Sequence, residues 1–96
     1  MGMVVDEKLL EKARKGPANM AFSDLVKLVT QLGWEHRNTT GSHHIFSHPQ
    51  AKDTRDLYPR PLNLQRWKGG KAKLEQVKEV LKRAEAMGII EKRRNP

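Results

Sequence analysis

The chain predicts an α+β domain in which a small three-stranded antiparallel sheet packs against helices. Three observations carry this. Apolar residues recur at three- and four-residue intervals in three separate stretches, the mark of amphipathic helices. Between the second and third of them lie short alternating runs broken by a glycine-bearing turn, the mark of a hairpin. Finally, 96 residues give room for one domain, since a single core usually takes about 100 to 150. Sequential antiparallel strands flanked by helices leave one sheet face on the helices and the other open to solvent.

The elements follow in order. Residues 6–15 read as a short helix that Asp6 can cap, with Leu9, Leu10 and Ala13 on one face and Gly16-Pro17 as its stop. After a linker over 16–21, Ser23 is the expected cap for a helix over 24–32, whose Leu25, Val26, Leu28, Val29 and Leu32 form a broad apolar face. Gly33 supplies its left-handed stop. Two extended runs, 34–38 and 42–47, flank Thr39-Thr40-Gly41 as the turn, and Trp34 is expected in the core. A polar stretch over 49–61 with three prolines reads as an exposed loop, leading to an edge strand at Leu62-Asn63-Leu64-Gln65. The last helix is expected over 71–87, with Leu74, Val77, Leu81, Ala84 and Met87 inward and Gly88 closing it. Ile89 and Ile90 should tuck against the core, and 91–96 reads as a frayed basic tail.

Nineteen Lys and Arg against eleven Asp and Glu leave a net charge of +8, so the expected partner is a polyanion. With no cysteine, disulfides, thiolate metal sites and cysteine nucleophiles are excluded. The first residues lack the apolar run of a signal peptide, and no stretch approaches the roughly 18 apolar residues of a membrane span, so a cytoplasmic protein without membrane contact is expected.

All four histidines, His36, His43, His44 and His48, fall in the hairpin region. In an extended strand His43 and His44 point to opposite faces, and His44 and His48 lie roughly 13 Å apart, too far to share one ion. No metal and no small-molecule cofactor are expected, and any single histidine here is more often a partly exposed residue without a role than a functional one. Gly41-Ser42-His43 is more specific, because a tight glycine turn places Ser42 and His43 at the open end of a strand. Histidine titrates near neutrality, and an imidazole there can take a proton from a ribose 2′-hydroxyl or give one to a leaving 5′-oxygen. In-line attack on phosphate also needs cations. Arg37, across the turn from Ser42, is the nearest, though it reads equally well as a solvated strand arginine. A second set, Arg66, Lys68, Lys71 and Lys73, surrounds Gly69-Gly70 before the last helix and suits phosphate. Lys71 and Lys73 are similar to the lysine cluster with which double-stranded-RNA-binding domains hold phosphates. Lys78, Lys82 and Arg83, offset by glutamates, read as a solvated helix face. Trp67 fits either the core or a role in base stacking.

Taken together, Phe22-Ser23-Asp24-Leu25, Leu32-Gly33-Trp34, Arg37, Gly41-Ser42-His43-His44-Ile45-Phe46, Leu62-Asn63-Leu64-Gln65, Gly70-Lys71 and Val77, Val80, Leu81 resemble the HicA toxin family. The most specific part is the order of a helix ending in Leu-Gly-Trp, a lone arginine, then Gly-Ser-His in a hairpin. The resemblance implies a fold like that of double-stranded-RNA-binding domains (α-β-β-β-α), here with an extra N-terminal helix. It implies residues 1–21 as a helical extension and linker, 22–90 as a HicA-like domain and 91–96 as a basic tail. It further implies an endoribonuclease that cuts mRNA without metal and is held inactive by a HicB-type antitoxin. The family's catalytic histidine falls on His43, with Ser42 orienting the site and Gly41, Arg37, Lys68, Lys71 and Lys73 near phosphate. The helix at 6–15 lies outside the usual short toxin, and the third strand ends Leu-Gln where shorter members end Pro-Arg-His. Without the motif, the same fold and charge suit an RNA-binding module that does no cutting.

Overall fold

Asp6 opens α1 (Glu7–Lys15), its carboxylate accepting from the backbone N–H of Lys8 at 2.9 Å and of Leu9 at 3.4 Å. The computed structural model of the chain describes residues 5–49 and 61–91. Gly16 ends α1, and a 3-10 turn over Pro17–Asn19 carries the chain to α2 (Phe22–Gln31). This helix begins before the expected Ser23 cap: Ala21 occupies the N-cap position and no side chain caps it. The start is fixed from outside the helix. Ala21 pairs with Lys71 in an antiparallel bridge, and the Ala72 N–H donates to the Met20 carbonyl at 2.9 Å.

Gly33, at φ +105°, turns the chain into β1 (Glu35–Thr40), which pairs antiparallel with β2 (His43–Ser47). In turn β2 pairs antiparallel with β3 (Leu62–Gln65), giving the sheet order β1-β2-β3. The hairpin is tighter than the sequence predicts. Thr39 and Thr40 stay in the strand, as suits β-branched residues, and only Gly41 and Ser42 lie between the paired Thr40 and His43. A bulge between His36 and Asn38 absorbs the extra residue, Arg37.

The sheet faces separate by period two. His44, Phe46, Leu62 and Leu64 point toward the helices, with Phe46, Leu62 and Leu64 buried. His43, Asn63 and Gln65 point to the other side. The last helix, α3 (Leu74–Ala86), starts three residues later than expected, since Lys71 and Lys73 have extended backbone angles and Lys73 serves as N-cap. Before it, a second 3-10 turn at Lys68–Gly70 reverses the chain, with Gly69 and Gly70 both at positive φ.

Leu9, Leu10 and Ala13 of α1 join Leu25, Leu28 and Val29 of α2, Val77, Val80 and Ala84 of α3 and the inner face of the sheet in one core. Trp34 is buried in it, and Ile89 and Ile90 pack half-buried against it, as the sequence predicts. One charge departs from expectation. Arg83 is buried at 7% exposure and bridges Glu79 at 3.1 Å, so α3 does not present a uniformly solvated basic face. The expected loop over 49–61 and tail over 91–96 lie largely outside the described residues, with Pro49, Pro61 and Glu91 exposed at their ends.

Candidate functional site

The two-residue turn decides where the chemistry can sit. Gly41 takes φ +60°, the positive angle that primed hairpin turns need at their first central residue, and His43 follows as the first residue of β2. His43 is exposed on the solvent face of the sheet, while His44 points to the helix side, as strand alternation requires.

Two residues of β3, neither singled out by the sequence, complete this end of the sheet. The Asn63 Oδ1 lies 3.1 Å from His43 Nδ1. A carboxamide oxygen only accepts, so this contact is a hydrogen bond when Nδ1 carries the proton, the neutral tautomer in which Nε2 presents its lone pair. The Gln65 Nε2 donates to Ser42 Oγ at 3.3 Å, while its Oε1 accepts from Lys73 Nζ at 2.8 Å. The Gln65 backbone N–H donates to Gln76 Oε1 on α3 at 2.8 Å. Gln65 therefore ties the glycine-serine turn to the basic segment ahead of α3. A signal existed in Leu62-Asn63-Leu64-Gln65, whose polar members share the face opposite the buried leucines. Their register against His43 was set only by the sheet.

The lysines lie around a different backbone from the one expected. Lys71 and Ala72 are extended and pair with Ala21 and Arg66 respectively, so the cations sit on a folded-back ribbon. Lys71 is exposed, Lys73 is half-buried and Lys68 is exposed in the 3-10 turn. Trp67 resolves to the surface at 48% exposure, with Lys73 Nζ 4.6 Å and Lys68 Nζ 5.9 Å from its ring centroid.

Arg37 is not part of this cluster. In the bulge its Nε donates to Ser47 Oγ, and a terminal nitrogen approaches Glu35 Oε1 at 3.3 Å, at the opposite end of β2 from His43. The extra residue turns it away from the Gly41–Ser42 end. The other histidines divide by environment. His48 is buried rather than partly exposed, its Nε2–H donating to the Leu32 carbonyl at 2.9 Å and its ring edge-on to Trp34 at 4.9 Å. It packs as a satisfied core histidine. His44 is half-buried 5.0 Å from the Phe22 ring, and His36 and His44 both contact the Thr39 hydroxyl, at 2.9 and 3.3 Å. Among the described residues no three His, Asp or Glu side chains gather as metal ligands, and no helix is long and apolar enough to cross a membrane.

The surface thus presents an imidazole nitrogen, a serine hydroxyl, two carboxamides and a lysine ammonium along one side of β2 and β3. Such groups can accept a proton and hold an anion. Residues 22–61 match the family model described as the HicA toxin of bacterial toxin–antitoxin systems. No curated protein and no solved structure gave a match. The matched segment runs from the first residue of α2 through both strands of the hairpin to the residue before β3, and contains Gly41, Ser42 and His43. Over that segment, 22–61, the chain is similar to the HicA toxin of bacterial toxin–antitoxin pairs.

Proposed function

We propose that this protein is the toxin of a toxin–antitoxin pair, an endoribonuclease that cleaves mRNA with His43 as general acid/base, and that a HicB-type antitoxin restrains it by covering the site. The observation that carries the reading is the Asn63–His43 contact on the open sheet face, which leaves Nε2 free to take a proton. In this scheme Nε2 removes the 2′-hydroxyl proton of a ribose, and the 2′-oxygen attacks the adjacent phosphorus. The bond to the 5′-oxygen breaks and that oxygen takes a proton from water as it leaves, while the His43 imidazolium returns its proton to solvent. The products are a 2′,3′-cyclic phosphate and a 5′-hydroxyl. Charge that develops on the phosphoryl oxygens is met by Lys73, with Lys71 and Lys68 nearby, so the reaction calls for no metal. Ser42, held by Gln65, orients the phosphate, and Gly41 permits the close approach of the strand. Residues 22–90 form the catalytic unit in this reading, with 1–21 as an extension and 91–96 as a basic tail. A surface of charge +8 suits both a polyanionic substrate and an acidic antitoxin.

The test is expression of the wild type and of His43→Ala in a bacterium without antitoxin, following growth and total mRNA. The wild type should arrest growth and deplete mRNA, and the variant should do neither, with cleavage reduced about 10²- to 10⁴-fold in vitro. Equal mRNA in both strains would end the nuclease reading. Retained RNA affinity in that case would make the protein a binding module.

A further inference from the structure

We infer that Trp67 is a stacking platform for an unpaired nucleobase, so that the RNA held at this site is single-stranded beside the bound phosphate. This rests on the proposal that RNA is the ligand and deepens it from RNA in general to an unstacked strand. Trp67 is the exposed large hydrophobic side chain among the described residues, whereas Trp34 is buried at 3% exposure. The fold does not need an indole there. The loop is held by its backbone, with the Trp67 N–H donating to the Lys71 carbonyl at 2.7 Å, the Gly70 N–H to the Trp67 carbonyl at 3.1 Å, and both glycines at positive φ.

What surrounds the ring is what a stacked nucleotide requires. Lys73, anchored by Gln65, lies over the ring, and Lys68 approaches it less closely, so cations flank the position where a base would sit and can meet its phosphates. A cleft of about 390 Å³ opens beside the indole, lined also by Lys71, Lys73 and Leu74. A lysine resting on a tryptophan is by itself an ordinary surface contact. Here, however, two cations approach the ring and its residue still shows 48% of its surface to solvent. The path Trp67–Lys73–Gln65–Ser42 also joins it to the turn that carries His43. A base inside a duplex is already stacked on its neighbours and has no free face to offer, so this platform selects unpaired strands.

Binding is measured with the full-length chain carrying His43→Ala, alone and combined with Trp67→Ala or Trp67→Phe. The probes are a single-stranded RNA oligonucleotide, the same strand with one abasic position moved along it, and the matching duplex. Single-stranded RNA should quench tryptophan fluorescence, and Trp67→Ala should weaken its binding about 5- to 100-fold while Trp67→Phe retains most of it. One abasic position should weaken binding to the protein that keeps Trp67 and cost nothing further in Trp67→Ala. Three results would overturn the inference: no loss with Trp67→Ala, an abasic penalty that persists unchanged in it, or an equal loss for the duplex. Absence of RNA binding by every variant would overturn it too. Because these readouts are affinities, failure of the wild type to cleave mRNA would remove the nuclease reading and leave the stacking result standing.

Discussion

His43 depends on a neighbour that donates nothing to it. With Asn63 Oδ1 accepting from Nδ1–H, the contact favours the tautomer whose Nε2 serves as base in the proposed reaction, and it restrains rotation of the ring. Asn63 is therefore a positioning residue in the proposed reaction. Asn63→Ala should lower kcat for RNA cleavage on the order of 10-fold with little change in KM, a smaller loss than removal of His43 itself. Asn63→Asp supplies a more telling readout. A carboxylate at that place favours the imidazolium, so a larger share of His43 is protonated at a given pH, and the acid limb of the pH–rate profile should move to higher pH. Steady-state cleavage across pH distinguishes this from simple misfolding, which would lower the whole profile without displacing it. His48 shows the opposite use of the same side chain, since its Nε2–H satisfies a backbone carbonyl and its ring fills the core beside Trp34.

At the scale of elements, the hairpin is the part on which the site depends. A two-residue turn brings Thr40 directly opposite His43 and leaves Ser42 within reach of Gln65 on β3. Gly41 makes the turn possible. A Cβ added there would meet no atom within 4 Å, so any cost of substitution comes from the backbone angle of +60° alone. Gly41→Ala should destabilise the protein by about 1 to 2 kcal/mol, whereas Gly41→Asn, which tolerates that angle, should be close to neutral. Urea denaturation of both variants checks the contrast, and equal losses would mean that something other than φ decides. The basic segment before α3 obeys a similar logic of chain reversal. Gly69 and Gly70 fold it back so that Ala72 is buried while Lys71 and Lys73 face outward on either side of it. The guanidinium of Arg66 lies over Gly70, where an added Cβ would come within 3.2 Å of it.

For the whole molecule, α1 belongs to the same core as the rest. It packs on α2 and α3, burying Leu9, Leu10 and Ala13. A domain of this size buries only about 60 to 65% of the surface its unfolded chain exposes, so each such contribution is a large share of the total. Leu10→Ala should cost about 2 to 4 kcal/mol, and the unfolding of helix and sheet signals should remain coincident. An early transition confined to helical signal would instead make α1 a separable attachment. Charge at this scale is unevenly distributed. Arg83 is itself buried and pairs with the exposed Glu79, and Arg37 is engaged by Glu35 and Ser47, while Lys68, Lys71 and Lys73 gather around Trp67.

The local part of this design was legible in the residues. Periodicity located all three helices and the three strands, because burial of one face imposes it, and the Gly-Ser-His order pointed to His43 because a turn of that kind needs glycine where φ is positive. Boundaries were less legible where distant segments set them. The start of α2 is fixed by pairing with residues some fifty positions away, and the lysines expected at the start of α3 lie on a ribbon held by the same pairing. The partners of the catalytic candidate were beyond sequence reasoning for a related reason. Asn63 and Gln65 meet His43 and Ser42 only through the register of β2 against β3, and the long segment between those strands leaves that register to the packing of Phe46, Leu62 and Leu64 against the helices. The sequence by itself singled out His43 as the candidate for proton transfer and determined the fold that presents it. The tertiary structure alone decided what that side chain touches, because contacts between segments far apart in the chain are set by shared burial and not by local spacing.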